Sequence, residues 1–68
     1  MVRVHLVFPL EARWLECRLD ENATIAESVK MLGSEVRCVY DLERQLFVDP
    51  LLPVHALKLM EGTRLLVY

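Results

Sequence analysis

The chain is poor in the residues that announce the most recognisable chemistries. It has two glycines, Gly33 and Gly62, far apart and unable to form a phosphate-cradling loop. Its two cysteines, Cys17 and Cys38, are too few for the disulfide framework of a small secreted domain. The eight Lys and Arg residues are scattered from Arg3 to Arg64 and the net charge is −2. No basic stripe forms, so neither nucleic acid nor an anionic membrane is expected as the main partner. No apolar run approaches the roughly 20 residues needed to span a bilayer. The first ten residues carry Arg3 and His5 where a secretory leader needs an unbroken apolar stretch. These absences point to a cytoplasmic protein. What is plentiful is apolar: 54% of the 68 residues are hydrophobic against 26% charged, enough for a core in a single domain spanning 1–68.

Alternation organises the N-terminal third. Val2, Val4, Leu6 and Phe8 face one way, and Arg3, His5 and Val7 the other, as in a half-buried strand that Pro9 ends. After a turn at Leu10 and Glu11, Leu15, Cys17 and Leu19 alternate with Trp14, Glu16 and Arg18, completing a hairpin. Thr24-Ile25-Ala26-Glu27 then reads as a capping box, in which Thr24 accepts from the Glu27 amide and Glu27 reaches back. Ile25, Val29 and Leu32 form one apolar stripe on the helix that follows, and Gly33 supplies its left-handed stop. The helix is short, so it needs tertiary packing to persist. Residues 36–40 read as a third strand and 45–48 as a short fourth, linked through 41–44. Asp49-Pro50 breaks the pattern, and Pro53 rules out a central strand there. Val54, Leu57 and Leu59 look like anchors of a one-turn helix, and Gly62 turns the chain into a final strand. In that strand Leu65 and Val67 face one way and Arg64, Leu66 and Tyr68 the other.

The resulting order, β-β-α-β-β-(short helix)-β, with a capping-box helix after the first hairpin, resembles the ubiquitin-like β-grasp superfamily over essentially the whole chain. The stretch from Leu15 through Thr24-Ile25-Ala26-Glu27 to Leu32 is similar to that family's second strand, loop and helix. Phe47-Val48-Asp49-Pro50, followed by Met60-Glu61-Gly62-Thr63-Arg64-Leu65-Leu66, is similar to the small bacterial YukD/EsaB-like proteins associated with type VII secretion. The resemblance implies an α+β fold with a mixed sheet in the order 2-1-5-3-4, parallel terminal strands at its centre and one helix across one face. It also implies an accessory or regulatory role in secretion through protein contacts. Modifiers and sulphur carriers of this fold need a flexible Gly-Gly tail. The sequence stops at Tyr68 without one, so conjugation is not expected; a tail-less relative of such a carrier is the alternative.

The two cysteines fall at inward positions on strands three steps apart in that order, roughly 14 Å at about 4.8 Å per step, beyond disulfide reach. Inert packing thiols are expected, with redox or small-molecule binding through Cys17 or Cys38 as the lesser alternative. His5, Cys17, Cys38 and His55 lack the paired spacings of a zinc site, and no nucleophile-base arrangement stands out. No enzyme activity and no cofactor are therefore expected. What remains is the sheet face opposite the helix. Val39, Leu66 and Tyr68 are expected to be adjacent there, with Val7 and His5 beside them and Trp14 further along. An apolar cluster rimmed by arginines has the composition of a protein-recognition patch. The expected partner is a protein docked on this open face, or a second copy of the chain.

Overall fold

The computed structural model describes Met1–Tyr68 as an α+β domain, a five-stranded mixed sheet with two helices. Strand β1 (Val2–Phe8) runs into a 3-10 turn at Pro9–Glu11, and β2 (Arg13–Leu19) returns beside it. Helix α1 (Ile25–Met31) follows, then β3 (Val39–Asp41), β4 (Leu46–Val48), helix α2 (Val54–Leu57) and β5 (Thr63–Val67). The sheet order is β2-β1-β5-β3-β4. The β1–β5 pair at its centre is parallel and the other pairs are antiparallel.

The alternation of β1 is realised residue by residue: Val2, Val4, Leu6 and Phe8 are buried, while Arg3, His5 and Val7 are half-exposed on the other face. Ile25 and Val29 of α1, with Val54 and Leu57 of α2, complete the core against β1, β3 and β5. Both ends of α1 have identifiable partners for their free backbone groups. Thr24 Oγ1 accepts from the Glu27 amide at 3.1 Å. The reciprocal contact of the capping box does not form; instead the Ala26 amide donates to the Pro50 carbonyl at 3.0 Å. The Asp49-Pro50 step therefore stitches the loop after β4 to the start of the helix. Asp49 holds that loop by accepting from the Leu51 amide through its side chain. At the other end Gly33, at φ +85°, donates to Lys30 and the Ser34 amide donates to Val29, the double return bond of a left-handed helix stop.

Two expectations about the core are corrected. Leu32 does not complete the apolar stripe of α1. It sits past the last helical residue and remains 39% exposed. The second correction concerns the phase of the third strand. Val39 was expected outward, but it is fully buried, and so is Asp41. Two consecutive amides, of Arg37 and Cys38, converge on the single carbonyl of Tyr68. Two residues opposing one is the pattern of a β-bulge, and a bulge shifts the alternation of all that follows by one position. Val39 accordingly lies between the buried Val67 and Val48, and Tyr40 takes the outward place opposite Leu66 and Phe47. The same displacement removes Cys38 from the core, where it had been expected to point.

Asp41 is the polar centre of this half of the molecule. Its Oδ1 accepts from the Thr63 hydroxyl at 2.9 Å and from the amides of Glu43 and Arg44 at 3.0 and 3.3 Å. Its Oδ2 accepts from Arg44 Nε at 2.8 Å. Arg44 in turn donates through its other arm to the Leu57 carbonyl at the end of α2. One carboxylate therefore joins β3, the β3–β4 turn, β5 and α2. Burial pushes its pKa up, but the bonds from the Arg44 side chain, Thr63 and the two amides outweigh burial and hold it below the usual aspartate value.

Removing this group leaves Arg44, Thr63 and two amides without their partner, so Asp41→Ala should lose about 3–5 kcal/mol of stability in chemical denaturation. Because the folded pKa is depressed, the stability contributed by the carboxylate is complete above its unfolded pKa. It is lost as pH falls through the folded value. Wild-type stability should therefore fall on acidification, and Asp41→Asn should flatten that part of the stability–pH curve.

Candidate protein-binding face

The face of the sheet away from the helices is assembled by strand register. On β2 and β1, Trp14 stands opposite Val7. Val7 is paired with Leu66 on β5, Leu66 with Tyr40 on β3, and Tyr40 with Phe47 on β4. Directly opposed residues share a face, so these five side chains form one row that crosses all five strands. The row is aromatic at both ends. Trp14 is 75% and Phe47 67% exposed, while Val7, Leu66 and Tyr40 between them are half-buried. The Tyr40 and Phe47 rings meet edge to face, with centroids 5.0 Å apart at 72°, which fixes that end of the row.

The neighbouring rows on the same face are charged and largely self-neutralised. Glu16 lies 3.7 Å from Arg3 and 3.6 Å from His5. Arg3 also reaches Glu61 at 3.6 Å, and Arg64 donates to Glu43 at 2.8 Å. Exposed pairs of this kind contribute little to stability.

Of the residues expected to form this patch, Trp14, Val7 and Leu66 come together in the row. His5 belongs to the adjacent charged row. Tyr68 lies beyond the end of β5, 37% exposed, and borders a shallow, open depression of about 560 Å³ with Phe8, Leu10 and Val67. Val39 is on the opposite face, in the core. The residues missed were Tyr40 and Phe47. Closing the β3–β4 hairpin between Asp41 and Leu46 places these two rings opposite each other. A closure one residue earlier, as the alternation suggested, does not.

The cysteines are both free and half-buried. Cys17 packs against the core from β2, and burial raises its thiol pKa, which weakens it as a nucleophile at neutral pH. No group of three or more His, Cys, Asp or Glu side chains is gathered in a way that could hold a metal ion. No helix is long and apolar enough to cross a membrane. No protein-family model matches the chain, and neither the curated proteins nor the solved structures contain a match to it.

The two faces should respond oppositely to polar substitution. Val39→Asp buries an unpaired charge and should abolish cooperative folding in circular dichroism. Phe47→Ser, on the open face, should cost only about 1 kcal/mol, the worth of its edge-to-face contact with Tyr40, and leave unfolding cooperative.

Proposed function

We propose that the chain is a non-catalytic protein-interaction module of the ubiquitin-like β-grasp kind, which docks a partner protein on its open sheet face. The finer fold assignment is supported by the parallel pairing of the first and last strands at the sheet centre, with α1 packed on one side only. The observation that carries the function is the row Trp14-Val7-Leu66-Tyr40-Phe47. An apolar line of three aromatic and two aliphatic side chains, bordered by charged residues, has the anatomy of an interface core with a polar rim. Tyr and Trp are the residue types that most often dominate binding energy. The row is flat and continuous, which suits a folded protein surface better than a small molecule enclosed on several sides.

The biological setting that the resemblance of Phe47-Val48-Asp49-Pro50 and of 60–66 supports is bacterial type VII secretion, with the chain as an accessory or regulatory component. Within that reading the Asp49-Pro50 step is architectural, since Pro50 closes on the helix, and partner contact falls to the row that begins at Phe47.

The test is affinity capture of secretion components from a host lysate, with wild-type and variant chains as bait at equal loading. Leu66→Glu, at the centre of the row, and Phe47→Ser, at its end, should each remain folded and reduce recovery of the partner at least about tenfold, the equivalent of about 1.4 kcal/mol. Equal recovery by both variants would contradict the reading.

A further inference from the structure

The edge of the sheet at β2 has features that the open-face reading does not use. β2 is seven residues long and pairs only with β1, so one full side of its backbone is unpartnered. The residues concerned follow from β1. The Arg3 amide donates to Glu61 and the Arg3 carbonyl accepts from the Gly62 amide, so both backbone groups of Arg3 turn away from β2. Its partner Arg18 is therefore in a non-hydrogen-bonded pair, and the Arg18 amide and carbonyl face the free edge. By alternation Glu16 does the same, and Cys17 between them is bonded to β1.

The core is also incomplete along this edge. Leu15 and Cys17 project to the helix side yet stay half-exposed, and beside them lie Leu32 at 39% and Met31 at 88% exposure. A protein that leaves a long strand edge free usually blocks it with a bulge, a proline, charged side chains or a covering segment. β2 has no bulge, proline or covering segment along its length, and the charges beside its midpoint, Glu16 and Arg18, are of opposite sign, so they can pair across an antiparallel edge.

We infer that β2 pairs with β2 of a second copy of this chain, antiparallel about a twofold axis at Cys17, to form a continuous ten-stranded sheet. Charge selects the register. Centring on Cys17 sets Glu16 against Arg18 of the second copy, twice, on the open face. Centring on Glu16 or on Arg18 sets like charges against each other, and centring on Leu15 sets Glu16 against tryptophan. Arg18 has no carboxylate partner within one chain, whereas Arg3 and Arg64 do, and the dimer supplies it. The same register makes Glu16 and Arg18 of the second copy a hydrogen-bonded pair, giving four new backbone hydrogen bonds across the axis. On the other side of the sheet Leu15 meets Leu19 of the second copy, and the two helices lie on the same side with Met31 and Leu32 toward the axis. The apolar margin that one chain leaves open is covered by its twin.

Sedimentation equilibrium tests this with three variants. The wild-type chain should show twice its 7.9 kDa mass. Arg18→Pro deletes an amide that is free within one chain, so it should stay folded and fall to the single mass. Glu16→Arg should do likewise by setting arginine against arginine, and Glu16→Arg combined with Arg18→Glu should restore the doubled mass. As a geometric check, the two Cys17 residues on the axis form a non-hydrogen-bonded pair with Cα atoms about 4.5 Å apart, within disulfide reach. Diamide, which takes up the two electrons and two protons released, should therefore cross-link Cys38→Ser but not Cys17→Ser. A single mass at millimolar concentration would overturn the inference. So would a doubled mass that survives Glu16→Arg, or cross-linking that requires Cys38.

Discussion

The buried carboxylate of Asp41 is the constraint on which the second half of this molecule depends. A fully buried charge is tolerated only where it is paired and hydrogen-bonded, and Asp41 meets that condition with four donors from two segments, the β3–β4 turn and β5. Satisfying it fixes Asp41 inward, and that in turn fixes the alternation of β3. With Asp41 and Val39 on the core side, Tyr40 has only the open face. The turn that Asp41 caps then closes β4 so that Phe47 lies against Tyr40. The interaction that secures the fold therefore also places two of the five residues of the candidate binding row, through nothing more than the two-residue period of a strand.

The division of labour between the two sides of the sheet follows from the same geometry. The helix side holds the aliphatic core and the Asp41 network. The open side separates into one apolar row and, to one side of it, charged rows, because opposed residues on neighbouring strands are of like character. Nothing in a single strand marks this row: each contributes one residue. The property exists only after the strands are paired, through the parallel match of Val7 with Leu66 and the antiparallel matches on either side.

That explains which parts were legible in the sequence and which were not. The first hairpin and the position of α1 were readable because their signals are local. Seven alternating residues make β1, Thr24 caps the helix and Gly33 stops it. The α+β class follows from the order of those elements. The phase of β3 was not readable from its own residues. Val36 to Tyr40 alternates well enough to suggest a strand, but the bulge at Arg37 and Cys38 is created by the Tyr68 carbonyl, a partner some thirty positions away along the chain. A one-residue slip exchanges the faces, which sends Val39 to the core and Tyr40 to the open face. Leu32 failed for a different reason. Helical periodicity places it on the apolar stripe, but the sheet ends at β2 and offers it no complete cover.

The central claim is that Asp41 and the bulge set β3 so that Tyr40, and not Val39, joins Leu66 on the open face. The most direct measurement is a nuclear Overhauser spectrum of the folded chain. It should show the Tyr40 ring in contact with both Phe47 and the Leu66 methyls, and the Val39 methyls in contact with core residues such as Ile25 or Val29. Cross-peaks linking the Val39 methyls to the Leu66 methyls, with Tyr40 instead contacting the core, would contradict the account.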